Sequence, residues 1–224
     1  MFRWGLYSLR NLWARRVTTA LTVVGLGLVV FVLLAVLMLA HGLEQTLGKT
    51  GDPENVIILR KGALSEIGSS LSREEIRAVA AQPDVRLTAD GRPLAVAEVG
   101  LQLTLRKGQG GSLTSVTLRG TAPEALAVRP AIRLIQGRLW KPGTTEIVVG
   151  ASIARQFPDA RVDRVLHFGN WAWTVVGVFE AGGSGFDSEV WGDAEQFLAT
   201  FHRATFSSMT LRLAHPATLP AFKD

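Results

Sequence analysis

The sequence contains no cysteine, which removes disulfides, thiol redox chemistry and cysteine-ligated zinc sites from consideration. Acidic residues are missing from the first 43 positions, where Arg3, Arg10, Arg15 and Arg16 are the only charges. Charge of either sign is missing from Val17 to Leu43. Four of the 24 basic residues precede Glu44, leaving 20 against 19 acidic ones in the remainder, so the net charge of +5 sits almost entirely at the N-terminal end. The remainder is nearly neutral and has no Lys/Arg stripe interleaved with aromatics, which argues against nucleic acid as a partner. No fixed-period repeat and no clean interdomain linker are visible.

What is present begins with the uncharged run itself. About 20 apolar residues cross a bilayer as helix, and residues 17–43 supply them, so this segment is predicted to be a transmembrane helix. A signal peptide starts the same way, but its apolar region is shorter, about 7 to 15 residues, and ends in an Ala-x-Ala-like site; Met38-Leu39-Ala40 lacks the first small residue. Before the span, Phe2, Leu6, Leu9 and Trp13 share one helical face, which predicts a cytoplasmic interfacial amphipathic helix over residues 1–16. The unopposed arginines place that end in the cytoplasm and residues 44–224 outside it. Thr18, Thr22 and Gly25 lie on one face of the span with Gly27 beside it. Small residues there permit close approach of another helix, and they are also common in transmembrane helices generally. At 47% hydrophobic and 19% charged residues, with mean hydropathy +0.23, the composition fits a membrane-anchored globular protein.

The remainder reads as α+β. Asn55 to Leu59 is a short buried strand closed by Arg60-Lys61-Gly62, and Ser72 with Glu75 has capping-box spacing for a helix that Pro83 stops. Leu94 to Val99, Leu101 to Arg106 and Leu113 to Arg119 follow as strands of an antiparallel region with one wet face, a β-rich subdomain at about residues 90–120. Short mixed elements come next: a helical turn at Pro123 to Ala127, strands near Ile132 to Ile135 and at Glu146 to Gly150, and a helix at Ala151 to Phe157. Trp171 to Phe179 is a long strand, Asp193 caps a helix through Phe197 and Leu198, and Ser208 to Leu213 is the last strand.

Candidate chemistry is sparse. Gly48-Lys49-Thr50 ends like a phosphate-binding loop, but Leu43 stands where the first glycine is required. Gly183-Ser184-Gly185 resembles part of a nucleophile elbow, yet Phe186 breaks the motif. His41, His167, His202 and His215 lack the i, i+4 spacing of paired metal ligands. The close acid pairs are Glu74-Glu75, explained by helix capping, and Asp187 with Glu189. No catalytic, cofactor-binding or metal residue is assigned, and no enzyme is required.

Taken in order, several segments resemble the permease subunits of ABC transporters of the MacB/FtsX type. These are Ser8-Leu9-Arg10-Asn11-Leu12 with Arg15-Arg16, then Val56 through Gly62, Gly137-Arg138 with Glu146 through Gly150, and Val175 through Phe179 before a glycine-rich loop. The resemblance implies a non-catalytic subunit of the bacterial inner membrane with its main domain, residues 44–224, in the periplasm. It also implies a separate cytoplasmic ABC ATPase as partner, a permease homodimer or heterodimer in the membrane lipid, and a periplasmic adaptor protein as a further candidate partner. Export or extraction of substrates by mechanical motion is the implied function. Family members continue into three further spans, so a truncated permease is expected of a chain written to Asp224. The alternatives are a single-span membrane-anchored periplasmic binding or adaptor protein, and a membrane-anchored hydrolase using Ser184 or an acidic residue near it.

Overall fold

The apolar run folds as one helix, α1 (Arg16–Thr50), in a computed structural model that describes residues 16–50, 54–108 and 111–215, and the side chains of these except 43–50. The amphipathic helix predicted for residues 1–16 lies outside the described residues apart from Arg16, as do Pro216 to Asp224. Within α1, Arg16–Gly42 is long and apolar enough to cross a membrane, and its large apolar side chains are exposed. The Thr22 hydroxyl donates to the Thr18 carbonyl at 2.9 Å, so this threonine is satisfied inside its own helix. The helix runs past the predicted limit at Leu43 because nothing from Glu44 to Thr50 breaks it; the next proline is Pro53.

The chain divides into two compact units, Met1–Gly48 and Lys49–Asp224. The second is built on a mixed nine-stranded sheet: β1 (Asn55–Ile58), β2 (Ala95–Arg106), β3 (Leu113–Thr121), β4 (Arg133–Gly137), β5 (Glu146–Gly150), β6 (Val165–Phe168), β7 (Trp171–Glu180), β8 (Glu189–Asp193) and β9 (Ser208–Arg212). Among the described residues, four short α-helices accompany it, α2 (Arg73–Ala80), α3 (Ala125–Val128), α4 (Ala151–Gln156) and α5 (Ala194–Thr200), with a 3-10 turn at Gly185–Ser188. The strand order is β1-β9-β2-β3-β8-β5-β7-β4, with β6 also on β7. Pairs β3/β8 and β5/β7 are parallel and the others antiparallel. The last strand, β9, lies between β1 and β2, and Asn55 pairs in register with Arg212.

Alternation along the strands divides the core between the two faces. Ile147 and Val149 of β5 join Leu118, Trp173 and Phe197 on one side, while Val148 joins Trp140, Phe179 and Trp191 on the other. A third cluster, Leu71, Val85, Met209, Leu211 and Leu213, packs with Ile76 and Val79 of α2. A sheet covered on both faces needs strands that are apolar throughout, and the buried Ile-Val-Val of β5 meets that need.

The α+β class and the capping box are as expected: the Ser72 hydroxyl accepts from Glu75 N–H at 3.2 Å, and the Glu75 carboxylate accepts from Ser72 N–H at 2.7 Å. Other readings are corrected. Strand β1 is half-buried rather than buried, because it is an edge strand with Ile57 51% exposed. The two strands read as Leu94 to Val99 and Leu101 to Arg106 are one, β2, which continues through Gly100 while changing partner from β9 to β3. Strands β6 and β8 were not anticipated. In the sheet, β2 and β3 occupy the middle, between β9 and β8.

Candidate functional site

The most concentrated chemistry in the domain is a buried ionic cluster that no local motif announces. Glu98 projects from β2 and is fully buried. Its carboxylate accepts two hydrogen bonds from the Arg129 guanidinium, at 2.9 and 2.6 Å, and one from Arg119 Nη1 at 3.1 Å. The hydroxyls of Thr121 and Thr210 each donate to it at 3.0 Å. Arg119, near the end of β3, also grips Glu189 at the start of β8 in a two-point fork, 2.8 and 3.0 Å, and donates to Glu66 at 2.8 Å. The indole of Trp191 donates to Glu189 at 2.7 Å. Phe186 lies 5.3 Å from one guanidinium and 5.2 Å from the other, so its ring faces both cations.

Burial alone would raise the Glu98 carboxyl, but the charges of Arg119 and Arg129 outweigh it and hold the group below the ordinary carboxylate range. For Arg119, burial works against the charged form, and Glu189, Glu98 and Glu66 reverse that and raise it well above its usual value. The cluster joins three carboxylates to two guanidiniums, and every carboxylate has a guanidinium partner. It ties β2, β3, β8, β9, the turn after α3 and the loop after β1 to one another. Its chemistry is that of a clamp.

The residues singled out by sequence fall elsewhere. Asp187 accepts from Ala181 N–H at 2.6 Å and Gly183 N–H at 2.8 Å, bracing the glycine-rich turn that carries Phe186. Asp193 caps α5 by accepting from Glu195 N–H at 2.9 Å. The Ser184 hydroxyl is buried without a protein hydrogen-bond partner among the described residues, so no base is placed on it. His167 is exposed on β6, and His202 sits at φ 51° in the turn after α5. Gly48-Lys49-Thr50 ends α1 and is not a strand-to-helix loop. Among the described residues no group of three His, Cys, Asp or Glu is placed to hold a metal ion. Of the acidic pair Asp187 and Glu189, only Glu189 enters the cluster. Glu98, Arg119 and Arg129 were missed, and the available signal was a glutamate inside the apolar strand Ala95-Val96-Ala97-Glu98-Val99.

Residues 19–224 match the MacB-like periplasmic core domain, a match that takes in both the greater part of α1 and the whole sheet. The chain belongs to this family. Solved structures agree on the fold. The periplasmic region of MacB from Actinobacillus actinomycetemcomitans superposes with a TM-score of 0.56 at 15% identity, over 78% of this chain and 82% of that one. The extracellular domain of the noncanonic ABC-type transporter YknZ from Gram-positive bacteria gives 0.55 at 16% identity, over 75% and 87%. No curated protein matches the chain. Within this MacB-like domain the ionic cluster spans the middle of the sheet, from β9 to β8.

Proposed function

We propose that the chain is the membrane subunit of an ABC transporter, in which a separate cytoplasmic ATPase drives motion of a periplasmic domain for export or extraction of substrates. The observation that carries this reading is the pairing of β1 with β9. It sets the first strand of the domain beside the last of its described strands, with Asn55 opposite Arg212. A domain inserted between two membrane helices needs its two ends together in this way, and a long apolar helix stands immediately before β1. Family membership and an arginine-only N-terminal end support the same reading. The proposed role is non-catalytic: the clamp holds the domain rigid so that displacement of α1 reaches the sheet as motion. A second permease copy, the same or different, and a periplasmic adaptor are the proposed further partners, in the bacterial inner membrane with the N-terminus cytoplasmic.

The test is co-purification with the ATPase encoded nearest to the gene, followed by its ATP hydrolysis in nanodiscs. The expected result is a stable complex whose hydrolysis rate depends on the permease. A chain that captures no ATPase, or a reporter fused after Asp224 that is active only in the cytoplasm, overturns the proposal.

A further inference from the structure

A groove of about 510 Å³ opens on the sheet face beside α4, where the short helix leaves β4 uncovered. Its apolar lining is Ile135 of β4, Val178 of β7, Ala151 and Ala154 of α4, and Ala160 and Val162 of the turn that follows. Ala151, Ala160 and Val178 are buried, so Ile135, Ala154 and Val162 present most of its apolar surface. Ile135 is 50% exposed at the point where the β4/β7 register shifts, so an apolar side chain stands at a strand edge with only part of its surface covered.

The polar lining is Gln136, Arg155 and Arg161, with no carboxylate among the lining residues. Arg155 donates to the Ser152 hydroxyl at 2.9 Å, and neither arginine lies within ion-pair distance of an acid among the described residues. This sets them apart from Arg138, which Glu146 engages at two points. Asp159 and Asp163 belong to the same turn and do not line the groove. A concave apolar surface of a few hundred Å³ with a small number of convergent polar groups is the usual form of a small-molecule site. Guanidiniums at its rim with no carboxylate partner among the described residues select an anionic head, a carboxylate above all, because the fork of donors matches it.

We propose that this groove binds an amphiphilic carboxylate, an alkyl chain lying on Ile135, Ala154 and Val162 with its head on Arg155 and Arg161. The inference does not depend on the ATPase partnership. It is tested with the full chain in neutral phosphatidylcholine nanodiscs titrated with dodecanoate, using the variants as references because partition into the bilayer is common to all of them. Native protein shows saturable binding that exceeds that of Ala154→Trp, in which the floor is filled. Arg155→Gln with Arg161→Gln weakens dodecanoate by at least tenfold, the loss of one charge-assisted hydrogen bond or more, and leaves dodecanol unchanged. Arg155 and Arg161 are exposed and Ala154 is half-buried against the core, so circular dichroism of each variant checks that it folds. The proposal is overturned by equal uptake in native and Ala154→Trp protein, by dodecyltrimethylammonium binding as well as dodecanoate, or by a site that takes only acidic peptides.

Discussion

Replacing Arg129 by methionine keeps an unbranched apolar stem and removes the guanidinium, and the consequence follows from the surroundings of Glu98. The substitution deletes the 2.6 and 2.9 Å hydrogen bonds to a carboxylate that is fully buried, leaving it Arg119 at 3.1 Å and two threonine hydroxyls. Breaking a buried ion pair from one side costs about 3–5 kcal/mol, and the surviving partners place this case near about 3. A domain of this size loses roughly 2–4 °C of Tm per kcal/mol, so Arg129→Met lowers Tm by roughly 6–12 °C, read by near-ultraviolet circular dichroism of the full chain in detergent. The double variant Glu98→Gln/Arg129→Met loses less than the sum of the two single variants, because each single change strands the other partner. Glu66 supplies the contrast. It is the third carboxylate on two guanidiniums, its side chain is 24% exposed, and Glu66→Gln leaves a charge-balanced core, so it costs under about 1 kcal/mol. Arg129→Met within about 2 °C of native, or Glu66→Gln as damaging as Arg129→Met, refutes the reasoning.

Ser72→Ala removes one half of the reciprocal cap of α2 and lowers stability by about 1 kcal/mol in urea titration. Glu146 is held at about 2, chiefly by the two hydrogen bonds from Arg138, against an ordinary value of 4.5. A depressed folded value means stability that is present above 4.5 and drains away as pH falls toward 2. Glu146→Gln therefore flattens the acid limb of stability over that interval, measured by urea midpoints at its two ends. At Gly150 an added Cβ would collide with the backbone carbonyls of Phe186 and Asp187. Gly150→Ala accordingly displaces the turn that seats Phe186 under the guanidiniums, costing about 1–3 kcal/mol with an unchanged m-value.

Local signals were legible and long-range ones were not. The cap at Ser72, the apolar run of β5 and the alternation of Leu101, Leu103 and Leu105 are written in neighbouring residues, and each appears where it was read. Strand β8 is the opposite case. With Glu189 and Asp193 at its ends, it resembles a charged turn, yet all five residues are buried because Arg119 and Gly143 answer the two carboxylates from elsewhere and Trp191 answers Glu189 from within the strand. The clamp was illegible for the same reason: Glu98 finds Arg119, Arg129 and Thr210 at separations of 21, 31 and 112 residues. No periodicity encodes such pairs. The break expected at Gly100 fails because β2 exchanges one partner strand for another there, an event set by the order of strands in space.

That strand order also decides which part of the domain can open first. Among the described residues, strand β1 pairs with β9 alone, over four residue pairs, whereas β2 and β3 are paired over eight. Local opening follows the joint with fewest hydrogen bonds and most exposure, and β1, half-buried at an edge, is such a joint. The clamp lies one strand further in: Thr210 of β9 donates to Glu98, so β9 is bound to the core on one side and to β1 on the other. Separating β1 from β9 therefore leaves the Glu98 cluster whole, while pulling β9 from β2 breaks into it.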